Sequence, residues 1–95
     1  VTDEATRPLG HLPLGFRGVI RAIDARDVPN SLPAEELERR LLEMGLVEGA
    51  RVELRHQGVF GRDPIAVRIN DRATFALRRR EAAAVLVVPD PTHPA

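Results

Sequence analysis

Ninety-five residues suffice for one domain with a single modest core, which the 43% apolar share can fill, mostly from aliphatic side chains because the only aromatics are three Phe. Fourteen basic residues, all Arg, balance fourteen acidic ones, so the basic excess of a duplex-binding domain is missing. The lack of Cys excludes a disulfide, a thiolate metal site and a cysteine nucleophile, and the lack of Lys excludes a P-loop.

Residues 1–14 carry Pro8 and Pro13 with little periodicity and read as a loosely ordered N-terminal arm, able to dock through Leu9, Leu12 and Leu14. Residues 15–24 predict a first strand. Val19, Ile20 and Ile23 break the period of two, which points to a bulge or bend near Gly15 and Gly18. Residues 25–32 form a connection.

The clearest element is a helix over 33–44. Pro33 suits a first turn, and Glu35, Glu36 and Glu38 complement the dipole there. Leu37, Leu41 and Met44 form one apolar stripe, widened by Leu42. Gly45 stands where a left-handed stop belongs, with Leu46 as its apolar companion, and Gly49 marks a tight turn. Both glycines and Leu41 read as structural.

Residues 49–58 alternate, with Val52 and Leu54 on one face and Arg51, Glu53 and Arg55 on the other, as in a half-buried strand. The stretch 58–64 reads as a hairpin loop punctuated by Gly58, Gly61 and a structural Pro64. Ile65, Val67 and Ile69 share one face of the next strand; Phe75 and Leu77 share one face of the strand after it. A two-residue turn at Asn70–Asp71 would oppose Ile69 to Arg72 and aim Phe75 outward. A three-residue loop, 70–72, opposes Ile69 to Ala73, Val67 to Phe75 and Ile65 to Leu77, and is the register expected. A helical turn over 78–84 and a closing strand over 85–88 complete the pattern, and 89–95 form a Pro-rich tail. The core domain, 15–88, is therefore mainly β with one α-helix. Five short strands hide their edges best by closing into a small barrel, with the helix covering one end.

Three segments together, RRLLEMGLVEGARVEL (39–54), DPIAV (63–67) and FALRRREAAAVLVV (75–88), resemble the FeoA family, ferrous iron transport protein A. The resemblance implies a small SH3-like β-barrel that binds the cytoplasmic part of FeoB, the ferrous iron permease with a G-protein domain. A similar fold ends the DtxR-type metal-dependent repressors as a protein-interaction module, so the resemblance leaves a stand-alone SH3-like interaction module of that kind as the alternative. The chain departs from the family pattern where Val59 replaces a Pro, where Arg62 is inserted, in a longer 65–77 hairpin and in the long connection at 25–32.

Phe60, beside Val59 at the expected loop tip, either folds back onto the barrel or stands exposed as an anchor for a partner. Arg78, Arg79 and Arg80 form the one charge run. They are either a solvated turn or, with Arg62, a patch for acidic groups on a partner. His11, His56 and His93 have no compact ligand spacing, so no intrinsic metal site is expected, and neither is a cofactor. No nucleophile, acid–base pair or G-x-G-x-x-G run is present to suggest an enzyme. The expectation is a non-enzymatic protein-binding regulator. A nucleic-acid-binding barrel would want basic grooves and stacking aromatics, and a proline-rich-peptide reader would want an aromatic groove. No membrane-length apolar run is present, and Asp3, Glu4 and Arg7 are unlike a secretory segment, so the expected setting is cytoplasmic.

Overall fold

The computed structural model describes residues 5–26, 28 and 32–90. In chain order it contains β1 (Arg7–Pro8), a 3₁₀ turn (Leu9–His11), β2 (Arg17–Ile23), α1 (Ala34–Glu43), β3 (Arg51–Phe60), β4 (Asp63–Ile69), β5 (Ala73–Leu77), α2 (Arg79–Ala82) and β6 (Val85–Pro89). The strands form one antiparallel sheet in the order β1-β6-β2-β3-β4-β5. None of the helices among the described residues is long and apolar enough to cross a membrane.

The expected class, mainly β with one main helix, holds. The sheet has six strands and not the expected five, because Arg7–Pro8 adds to β6. Its end strands, β1 and β5, are not joined by a ladder. The two ends meet instead through short helical segments. β1 runs into the 3₁₀ turn, β5 runs into α2, and that turn packs on α2. Gly10 lies so close to the Arg79 carbonyl and the Ala83 nitrogen that no Cβ would fit.

The arm docks as expected through Leu9 and Leu12, both fully buried, while Leu14 is half exposed. Pro89, expected in the tail, ends β6 opposite Gly18. Proline is tolerated at a strand end, where a missing N–H costs least. The remaining tail, 91–95, lies outside the described residues, as does half of the connection at 25–32.

Helix α1 stops as the sequence indicates. Gly45 has φ +94°. Its N–H donates to the Leu42 carbonyl at 2.9 Å, and the Leu46 N–H reaches the Leu41 carbonyl at 3.0 Å. These are the two bonds of a Schellman stop, and they bury Leu41 and Leu46 in the core beside Leu37. Leu42 is half exposed and does not widen the stripe; Met44 is half-buried against the core. The next tight turn places Gly49 at φ +89° and closes with the Ala50 N–H on the Val47 carbonyl at 3.0 Å.

The β4–β5 register is the expected one: Ile69 opposes Ala73, Val67 opposes Phe75 and Ile65 opposes Leu77. Asn70 and Asp71 are both left-handed, at φ 53° and 59°, and the Arg72 N–H closes the turn on the Ile69 carbonyl at 3.0 Å. Arg72 is then the extra residue before the ladder begins, which is how Phe75 comes to face inward. The irregularity in β2 lies between Ile20 and Ala22, not at Gly15 or Gly18. Gly18 is instead pressed between the Phe16 ring and the Val88 carbonyl. Phe75, expected to face inward, and Phe16 are both half-buried at the margin of the core.

Candidate functional site

The stretch 58–64 is not a loop. β3 continues to Phe60, β4 starts at Asp63, and Phe60 opposes Asp63. Gly61 and Arg62, at φ 67° and 62°, make a two-residue turn with both residues left-handed, the geometry that matches the twist of a hairpin. An isolated non-Gly residue tolerates this conformation poorly, so Arg62 sits there because the hairpin imposes it.

The tip of this hairpin carries the most exposed large apolar side chains among the described residues: Val59 is 89% and Phe60 88% accessible. Neighbours along a strand point to opposite faces, so both faces of the tip stand clear of the domain. Phe60 thus takes the exposed alternative. Toward its base the two strands nearly touch, because a Cβ on Gly58 would meet the Asp63 carbonyl. The Asp63–Pro64 peptide bond is cis.

What holds the hairpin to the body is Arg79. Its Nε donates to the Arg62 carbonyl at 2.9 Å, Nη2 to Gln57 Oε1 at 2.8 Å, and Nη1 to the carbonyls of Gly10 at 3.2 Å and Leu12 at 2.9 Å. Its backbone N–H donates to Asp63 Oδ1 at 2.8 Å, so Asp63 serves the first turn of α2 as well as the hairpin. Burial and the nearby Arg62 charge push the Arg79 pKa down, against the pull of Asp63; a guanidinium remains protonated regardless. The run Arg78–Arg80 is therefore not one patch. Arg78 and Arg80 are exposed, and Arg79 spends its fork inside the protein. Successive residues of a helical turn lie about 100° apart, so one of three must face inward. The structure brings Val59, Phe60, Arg62 and Arg79 together, with Pro64 on the neighbouring strand. Gly45, Gly49 and Leu41 serve the fold elsewhere.

Glu81 returns to the Arg78 N–H at 3.0 Å, the reciprocal half of a capping box, and lies 3.7 Å from Arg40 of α1. A second feature, a shallow depression of about 280 Å³ on β2–β4, gathers Arg17, Arg51, Arg55 and Arg68 with Glu53, Asp71 and Asp90. Here Glu53 pairs with Arg17 at 3.3 Å and Arg55 at 3.5 Å, and Asp71 pairs with Arg51 at 3.1 Å. These are ion pairs on a wet face, the Arg55–Glu53 pair within β3 itself, and are worth little individually. Among the acids, Asp24 is held down at about 2 by its hydrogen bonds from the Arg26 side chain and backbone. That is a local pairing on an exposed surface. Among the described residues no three His, Asp or Glu side chains are grouped to hold a metal ion; His11 and His56 are exposed, and His93 lies outside the described residues.

The family described as the FeoA domain matches residues 7–89. Among solved structures, FeoA of Stenotrophomonas maltophilia complexed with zinc is 31% identical. The match covers 87% of this chain and 88% of that one at a TM-score of 0.66. That protein is described as a procaryotic SH3 domain protein and a candidate ferrous iron transport activating factor. A FeoA-like protein from Clostridium acetobutylicum is 25% identical over 99% of this chain and 96% of that one, with a TM-score of 0.72. A manganese-dependent transcriptional repressor aligns at a TM-score of 0.75 and 24% identity, over 94% of this chain and 39% of the repressor, a likeness of fold alone. No curated protein sequence matches.

Proposed function

This chain belongs to the FeoA domain family, and from that premise we propose that it is a non-enzymatic, cytoplasmic accessory of ferrous iron uptake that binds the cytoplasmic part of a FeoB-type permease. The observation that carries the reading is the β3–β4 hairpin tip. Val59 and Phe60 are held almost fully in water at the end of β3, beside a two-residue turn anchored by Arg79. Leaving two large apolar side chains exposed is unfavourable unless a partner covers them, and a fixed aromatic anchor loses little freedom on binding. Arg62 beside them and exposed Arg78 and Arg80 supply positive charge for acidic groups around such a contact. Ferrous iron is the permease's cargo in this reading, and this chain needs no metal of its own.

Nucleic acid is a poor second candidate, because one exposed aromatic and zero net charge offer neither a stacking platform nor an electrostatic groove. The repressor likeness, being one of fold, adds no second function.

The test is a titration of the chain against the purified cytoplasmic part of a FeoB-type permease, with and without guanine nucleotide. Saturable binding is expected, weakened at least about tenfold by Phe60→Ala with Val59→Ser, while thermal stability stays unchanged. No binding in any nucleotide state would sink the reading. Binding that is indifferent to the tip would move the contact elsewhere.

A further inference from the structure

The two edges of the sheet are built differently. At one end β1 is two residues long and contains Pro8, a length and a residue that discourage further pairing. At the other end β5, Ala73–Leu77, pairs only with β4 among the described residues. Alternate residues of such a strand turn their N–H and C=O away from the neighbour and leave them available. Ala73, Thr74 and Ala76 are exposed. Within the strand there is no Pro, no charge and no bulge to blunt it.

Charge brackets this edge. Exposed Arg72 precedes it and exposed Arg78 comes directly after it. Neither side chain has a carboxylate partner among the described residues, and nor does Arg68, which opposes Thr74 from β4 and donates only to the Asp71 carbonyl at 3.0 Å. The nearby acids are engaged elsewhere: Asp71 with Arg51, Asp63 with the Arg79 N–H, and Glu81 with the Arg78 N–H and Arg40.

We infer that the β5 edge is a docking site for an extended acidic segment of another protein, which adds as a further strand and sets its carboxylates against Arg72, Arg78 and Arg68. Main-chain bonds give such an addition its affinity, and flanking charges give it its register and its preference. Arg forks match carboxylates in a bidentate geometry that Lys does not offer. A second copy of this chain is disfavoured by the same residues. Antiparallel pairing of two β5 strands centred on Phe75 would bring Arg72 of each against Arg78 of the other, and like charges directly opposed repel. This site lies along the β5 edge, away from Val59 and Phe60 at the β3–β4 tip, and Arg78 is the one residue it shares with the proposed tip contact.

The experiment titrates isotope-labelled full chain with a capped peptide of alternating Val and Thr bearing two Glu at each end. Shift changes and slowed amide exchange are expected along residues 73–77. A peptide with Lys in place of Glu should bind at least about tenfold more weakly. A Glu peptide with Pro at alternate positions should not bind. The double variant Arg72→Glu, Arg78→Glu, both at exposed positions, should reverse the charge preference. Equal binding of both peptides, shifts centred on Val59 and Phe60, or broadening of the β5 amides with protein concentration alone would each overturn the inference.

Discussion

Replacing Arg79 with Ala tests whether one side chain fastens the N-terminal segment, the hairpin and α2 together. Four of the guanidinium's five donors are engaged. The bond to the Arg62 carbonyl is exposed, and water replaces it at little cost. The other three, to Gly10, Leu12 and Gln57, are partly buried. At roughly 1 kcal/mol net for each, the loss comes to about 3 kcal/mol. A chain of this size unfolds in urea with a slope of about 1–3 kcal/mol per molar, so the midpoint should fall by about 1–3 M. Arg79→Lys should recover only a small part, since one ammonium cannot reach acceptors spread over the 3₁₀ turn, β3 and the hairpin. Arg80→Ala is the control, an exposed neighbour of the same type that should stay within about 0.5 kcal/mol of the parent. Equal midpoints for the Arg79 and Arg80 variants would refute the anchoring role.

Leu41→Ala empties a fully buried core position and should cost about 2–5 kcal/mol by equilibrium denaturation, whereas Leu42→Ala, half exposed, should cost far less. Gly45→Ala meets only ordinary contact with Ile69. Its cost of about 1–2 kcal/mol should therefore come from φ +94° alone, and a Gly45→Asn variant should soften it. The Asp24 carboxyl should titrate near 2 by carbon-detected NMR and return toward 3.8 in Arg26→Ala. Because its folded pKa is depressed, whatever stability this pairing adds is present above about 4 and disappears as pH falls toward 2.

The elements that alternate are legible from residues alone. Ile65, Val67 and Ile69 against Phe75 and Leu77 admit one register, since a slip of one residue would turn the whole set outward. The Gly45–Leu46 stop is equally plain, because few residues other than Gly adopt that backbone. The failures share a cause. Gly58 reads as punctuation, but it is glycine because Asp63 leaves no room for a side chain, a contact across the hairpin that no local window displays. Arg62 in a left-handed turn is hidden for the same reason, because tertiary context forces a conformation its type disfavours. The arginine run reveals its charge and not its direction. Which of three consecutive arginines faces inward depends on where α2 meets the 3₁₀ turn, 69 residues away at the Arg79–Gly10 bond. Leu42 fails in the opposite sense: it is apolar, but sits about 100° around the helix from Leu41 and off the buried stripe.

The same geometry explains why the hairpin tip can serve as an anchor. A two-stranded hairpin that leaves its sheet is only marginally ordered on its own, and an exposed Phe60 on a loose tip would lose on binding the freedom that a fixed tip has already given up. Here the fixing is done from beneath. Gly58 lets the strands close at the hairpin base, and Gly10 lets the N-terminal turn approach α2. In the space between, Arg79 reaches Gly10 and Leu12 with one nitrogen and Gln57 and Arg62 with the others. The segment that begins the described chain therefore bears on how the apolar tip is presented, although neither Leu9 nor Leu12 lies on it. Under the proposed function Arg79 would affect binding by positioning the tip, and Phe60 by touching the partner. Loosening the first should cost stability and affinity together, while truncating the second should cost affinity alone.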